Sequence, residues 1–250
     1  QGGTFQMGRT KGSGNADELP VRSVTLNDYY IGRYEVTQTE WSLVMHTTPA
    51  AFQDQLKPVE NISWLDCIVY CNTRSLQEGL NPAYSYANQG TNPDNWNWAN
   101  WTAAAADSIS CNFSVNGYRL PTEAEWEFAA KGGNASTFSN VYSGCDFMDA
   151  VGWYLYNGGS STHTPGKKAP NQAFLYDMTG NVWEWVWDRY GSYGSSAQSN
   201  PTGPATGEYR IRRGGSWMST TGCGTASHRV KSLPELKTPF IGFRVVRSAV

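Results

Sequence analysis

The five cysteines and three histidines are the residues of this chain best suited to redox or metal chemistry, and their spacing points away from both. Cys67, Cys71, Cys111, Cys145 and Cys223 form no CxxC pair, and an odd count leaves at least one thiol unpaired, so no disulfide framework is indicated. Cys67 and Cys71 stand i,i+4 beside Trp64 and Ile68, which reads as two small hydrophobes on the buried face of a helix. Zinc needs about four N or S ligands, and His46, His163 and His228 are scattered. Glu123, Glu125 and Glu127 would suit acid–base work, yet Glu125 completes a capping box and its two neighbours suit the first-turn dipole of a helix. What remains is RGGSWMSTTGCGTASHRVKSLPELKTPFIGFRVV, residues 213–246, whose patterned ends bracket small polar residues that follow no period.

The elements that must hold these residues are few. Thr37-Gln38-Thr39-Glu40 is a capping box ahead of a helix carrying Trp41, Leu43 and Val44. Ser63 starts a second helix reaching about Gly79, with Trp64, Cys67, Ile68 and Cys71 on one face. Thr122 to Glu125 is another capping box, after Pro121 and before Trp126, Phe128 and Ala129, and Gly132-Gly133 ends that helix. Residues 182–188 alternate, with three Trp on a core face and Val, Glu, Val and Asp on the other, which predicts a strand. Residues 81–112 read as an insertion or long loop, and 189–208 as a Gly/Ser/Pro excursion.

With 11 Trp, 14 Tyr and 9 Phe, 250 residues can build a sizeable core, and no linker or repeat divides them. Residues 1–250 are therefore read as a single loop-rich α+β domain. A net charge of −2 offers no basic field for a phosphate backbone, which excludes nucleic acid as a partner. No apolar stretch approaches the roughly 20 residues needed to span a bilayer, and with Gln1 as the first residue any targeting peptide is expected to have been removed or never included.

Seven blocks then line up in order: residues 2–8 (GGTFQMG), 34–37 (YEVT), 58–64 (PVENISW), 118–127 (YRLPTEAEWE), 175–185 (LYDMTGNVWEW), 213–217 (RGGSW) and 242–244 (GFR). In this the chain resembles the formylglycine-generating enzyme (sulfatase-modifying factor) family along nearly its whole length. The resemblance implies that family's variant of the C-type lectin fold, α+β with little regular structure. Fold alone does not give function. The family's enzymes oxidise a substrate Cys with a pair of cysteines after the RGGS-aromatic block, where two thiolates hold copper. Those two positions are Ser219 and Gly224 here, and Cys223 stands one residue from the second. A related sulfoxide-forming branch uses non-haem iron in a His-rich site, which this chain does not supply. Asn181 and Glu184 lie where some members bind calcium, so calcium is the one cofactor the resemblance allows. Arg119, Asp177, Arg213 and Arg244, charged residues inside apolar motifs, imply buried ion pairs.

A second group with this fold fits the 213–246 pattern better: the variable proteins of diversity-generating retroelements, whose C-terminal cassette is rewritten at adenines. Residues 219–228 all belong to the set reachable from an AAY codon, whereas Met218, Lys231, Glu235 and Lys237 do not. The cassette, taken as 210–248, is then a diversifiable binding surface on a non-catalytic, receptor- or adhesin-like domain. An oxidase of the family, or a structural domain derived from one, is the alternative. The expected contacts are Ser219, Thr220, Thr221, Gly222, Gly224, Thr225, Ser227, His228, Ser232, Leu233, Leu236, Thr238, Pro239 and Phe240. Their hydroxyls give adaptable hydrogen bonds, Leu233, Leu236 and Phe240 give an apolar anchor, and Trp217 and Arg229 support the loop from beneath. The expected ligand is a protein or other macromolecule outside the cytoplasm. The expected location is the cell surface, through a lipid on a segment not present here, or the secreted fraction.

Overall fold

A computed structural model of the chain describes residues 1–97, 103–135 and 138–249. The three expected capping boxes or caps all nucleate helices. In α1 (Gln38–Met45) the Thr37 hydroxyl accepts from Glu40 N while the Glu40 carboxylate accepts from Thr37 N at 2.9 Å. In α2 (Trp64–Gln77) Ser63 and Asp66 reciprocate in the same way, and in α3 (Glu123–Ala130) Thr122 and Glu125 do. Each box satisfies two amides that a helix start leaves orphaned. A single further turn, α4 (Met148–Val151), was not legible in the sequence.

Strand pairing gathers around residues 183–189. This strand, β7 (Trp183–Arg189), is the third in a four-stranded sheet whose order is β10 (Arg229–Ser232), β9 (Arg210–Arg213), β7, β11 (Ile241–Gly242). Contrary to the half-exposed strand that its alternation predicts, both faces are covered: Glu184, Val186 and Asp188 are as buried as Trp183 and Trp185. A three-stranded sheet joins β12 (Val246–Ser248) to β3 (Tyr29–Ile31) and β6 (Tyr118–Arg119). Another joins β1 (Gly3–Met7), β2 (Arg22–Leu26) and β8 (Gln198–Ser199), so the 189–208 excursion returns to pair with the N-terminal hairpin. Within 81–112, β4 (Tyr84–Tyr86) and β5 (Ile109–Cys111) form an antiparallel pair where a long loop is expected, although residues 98–102 of that stretch lie outside the described residues.

The aromatic residues are concentrated in one cluster under α2 and β7, where Trp64, Trp185, Tyr70, Tyr84 and Phe243 are fully enclosed together with Cys67 and Cys71. The Trp64 indole donates to the Val186 carbonyl and the Trp185 indole to that of Ile62, so these large rings carry no stranded donor. All five cysteines are free thiols.

Of the four charges expected in buried pairs, three are paired. Arg119 meets Glu125 at 2.7 Å, Arg213 meets Glu127 at 2.5 Å, and Arg244 grips Glu184 through two bonds of 2.7 Å. Asp177 differs: one oxygen accepts from Gly166 N, the other has no partner, and burial pushes its carboxyl up to about 6. Glu123 and Glu127 are not solvated first-turn charges either. Glu123 takes Arg229 and Glu127 takes Arg213 and Lys131, all inside the molecule.

Candidate functional site

The 210–248 cassette is for the most part framework. Its flanks supply β9, β10, β11 and β12, leaving two excursions, 214–228 and 233–240, as candidate surface. Arg213, at the end of β9, donates to the carbonyls of Ala226, Ser227 and His228 and thereby pins the return of the first excursion from below. Gly214 and Gly215 open that excursion with φ of 92° and 79°, a turn that side chains resist. The Trp217 indole donates to the Pro239 carbonyl at 3.1 Å and so ties the two excursions together.

Six of the fourteen expected contact residues lie inside. The Ser219 hydroxyl accepts from Ser216 N, Gly224 packs on Met148, and Ser227 donates to Glu18 at 2.7 Å. Thr225, His228 and Ser232 are buried as well. Small polar residues suit a tight interior turn as readily as a recognition loop, so composition alone cannot separate the two uses. The outer rim keeps Thr220, Thr221, Gly222 and Leu236 exposed, with Leu233, Thr238, Pro239 and Phe240 half-buried. Trp217 is only half-buried and packs edge-on against Phe52, whereas Arg229 is enclosed and salt-bridged to Glu123. Arg229 thus supports the cassette from beneath, and Trp217 stands at its edge.

The fold adds neighbours that no sequence pattern marked. Leu155 N donates to the Ser219 carbonyl, and Gly158 sits so close to Trp217 that a Cβ would meet its backbone oxygen at 2.7 Å. Exposed Leu155 and Tyr156 are thereby tied through the backbone to Ser219, the chain neighbour of exposed Met218, so a different segment brings apolar residues to this end of the cassette. The only hint in the sequence was several large apolar residues in the turn-rich stretch WYLYNGG, residues 153–159.

Behind the rim lies the one reactive arrangement of the cassette. His228 lies close enough to half-buried Cys223 to hold its thiol below the usual range. Burial disfavours a charged His228, but the nearby Cys223 and Glu18 prevail and raise it to about 9. Glu18 approaches His228 Nδ1 at 3.5 Å. Burial works against the Glu18 charge too, and the bonds from His228, Ser227 and Asn15 outweigh it, lowering Glu18 to about 2. The trio can sustain a thiolate, a potential nucleophile. It does not fit the family's copper chemistry, which takes two thiolates: Ser219 and Gly224 offer no sulfur, Cys67 and Cys71 are enclosed elsewhere and Cys111 is half-buried in β5, all three with thiols raised by burial. No cluster of three His, Cys, Asp or Glu arranged for a metal occurs among the described residues.

Calcium fares no better at Asn181 and Glu184. Both Glu184 oxygens are held by Arg244, and one also accepts from the Trp126 indole at 2.7 Å. The Asn181 side-chain oxygen accepts from His163 N, and its amide donates to Glu35 and the His163 carbonyl. A hard cation would have to displace a buried guanidinium, so the structure replaces the proposed ligand pair with an ion pair.

The model of the sulfatase-modifying factor enzyme 1-like domain matches residues 1–249. The chaperone protein LppX of Paenibacillus barcinonensis is 38% identical, over 99% of this chain and 88% of that protein. The formylglycine-generating enzyme of Streptomyces coelicolor is 29% identical, over 99% of this chain and 88% of its own. Among solved structures, Treponema denticola variable protein 1 superposes with a TM-score of 0.86 at 33% identity, covering 98% of this chain and 94% of the other. The chain therefore belongs to the sulfatase-modifying factor enzyme 1-like family, with the loop-rich α+β fold of the formylglycine-generating-enzyme-type variant of the C-type lectin domain.

Proposed function

We propose that residues 1–250 act as one non-catalytic binding domain whose rim, Met218, Thr220, Thr221 and Gly222 with Leu233, Leu236, Thr238, Pro239 and Phe240, takes a protein or other macromolecular ligand outside the cytoplasm. The observation that carries this reading is a division of labour within the cassette. Its flanks and inner turn are locked to α3, β7 and β9 by enclosed arginine–carboxylate pairs, while Thr220, Thr221, Gly222 and Leu236 face solvent and hold no charge pair. A loop fixed by its frame loses little entropy on binding and can change its outer residues without unfolding the domain.

Two comparisons lend support. The likeness to a variable protein suits a cassette whose outer positions are rewritten, and a relative named as a chaperone suits a domain that holds another protein. Leu155, Tyr156, Met218 and Leu236 provide apolar area of the kind that protein interfaces use at their centre. Lipid-anchored display at the cell surface goes with this reading. Protease shaving of intact source cells should remove the protein, and a binding screen of the purified domain against extracellular proteins should find a partner lost on combined substitution of Thr220, Thr221 and Leu236. Full protection from protease would refute display, and a partner indifferent to all three substitutions would refute the assigned face.

A further inference from the structure

A second site lies apart from the rim. Between β2, α3 and the loop 190–204 is a cavity of about 350 Å³, at the small end of the range for ligand pockets. Met7 and Ala124 form an apolar wall, Tyr193 and Pro204 come from the loop, and Arg22 enters from β2. Arg22 is only 7% exposed, yet it has no carboxylate partner among the described residues. Its Nε and Nη1 reach no acceptor there, and Nη2 touches only the Met7 sulfur at 3.5 Å. The guanidinium lies 3.7 Å over the Tyr193 ring, which also carries Arg229 at 4.1 Å, and the Tyr193 hydroxyl has no hydrogen-bond partner either.

The other charges of the cavity are already matched. Arg229 is held by Glu123 and Arg189 by Asp107, each at 2.7 Å. Asp188 makes no ion pair with Arg22: its carboxyl is turned to the start of α3, where it accepts from Glu123 N at 2.7 Å. An enclosed cation without a counter-charge is costly: Arg119 and Arg244 are paired with carboxylates, and enclosed Arg210, which has no carboxylate, donates to the carbonyls of Trp187 and Ala106, whereas Arg22 donates to no oxygen among the described residues. A single unmatched positive charge calls for a single negative one. A dianion would leave excess negative charge beside Glu123, and the Met7, Ala124 and Tyr193 walls call for an apolar body.

We propose that this cavity binds a small monoanionic carboxylate, its carboxylate against Arg22 and its apolar body against Met7, Ala124 and Tyr193. The site does not depend on the function assigned to the rim.

Titration calorimetry with benzoate, against sodium sulfate at matched ionic strength, tests it. Benzoate should saturate at one site per chain, Arg22→Gln should weaken it at least tenfold, and Arg22→Lys should fall between. Sulfate binding as tight as benzoate, unchanged affinity in Arg22→Gln, or no saturation would each overturn the proposal. Should Arg22→Gln fail to fold, crystals of the unaltered protein soaked in 4-bromobenzoate decide: an anomalous bromine peak inside the cavity supports the site. Water alone there, or a peak only elsewhere, overturns it.

Discussion

Arg213 and Glu127 meet at 2.5 Å with neither side chain exposed, and the same guanidinium holds the carbonyls of residues 226, 227 and 228. One pair thus couples α3 to both the sheet and the inner turn of the cassette. Breaking a buried pair leaves an uncompensated charge, so Arg213→Met and Glu127→Gln should each lower stability by about 3–5 kcal/mol. The double variant should cost less than the sum of the two, because Arg213 and Glu127 no longer leave each other unmatched, although Lys131 loses its carboxylate whenever Glu127 is replaced. Urea unfolding of the three variants measures both effects, and strict additivity would show that the pair is not coupled.

Glu18 gives the molecule an acid limb. Its folded pKa, about 2, lies below the ordinary carboxylate value of 4.5, so its contribution is complete above 4.5 and is lost as pH falls through about 2. Glu18→Gln should flatten the dependence of stability on pH between those limits and leave the neutral range with a smaller, pH-independent loss. Denaturant midpoints at closely spaced pH values report the slope.

The absence of a cysteine at both Ser219 and Gly224 predicts chemistry as well. With copper supplied, the purified protein should leave a sulfatase-type Cys peptide unconverted, as judged by mass spectrometry for the aldehyde. The thiol should nonetheless be reactive. Iodoacetamide should modify Cys223 at neutral pH faster than an ordinary thiol of pKa about 8.5, and His228→Asn should slow it by removing the group that favours the thiolate. Formylglycine in the product peptide would return the oxidase reading to the front.

Added calcium or EDTA should leave the melting temperature unchanged within about 1 °C, since Glu184 is already committed to Arg244. Saturable stabilisation by calcium, lost in Glu184→Gln, would contradict this.

Which of these features the sequence shows depends on how local their causes are. The helix starts at Thr37, Ser63 and Thr122 are written in four-residue boxes, and they form where the boxes stand. The seven ordered blocks carry the fold. The partners of Glu123, Glu127 and Glu184 lie 60 or more residues away, at Arg229, Arg213 and Arg244, and no period in the chain announces them. The cassette is opaque for a related reason. Thr220 and Thr225 are the same residue type five positions apart, one outside and one inside, and they flank the single helical turn Thr221–Gly224, whose far side Arg213 pins through the Ala226 carbonyl. Leu155 and Tyr156 join the rim through a backbone bond across 64 residues, from Leu155 to Ser219.

Thermal melting of two variants tests the central claim, that the rim is free of the fold while the frame beneath it is not. The rim variant carries Thr220→Ala, Thr221→Ala, Gly222→Ser and Leu236→Gln together, and a Cβ at Gly222 would meet nothing within 4 Å. Surface changes of this kind cost under about 0.5 kcal/mol each, so the melting temperature should fall by less than roughly 8 °C. Arg213→Met should lower it by roughly 6–20 °C and in any case by more than the rim variant does, from a loss of about 3–5 kcal/mol. If the rim variant unfolds as readily as Arg213→Met, the outer residues belong to the core and the binding face is misassigned.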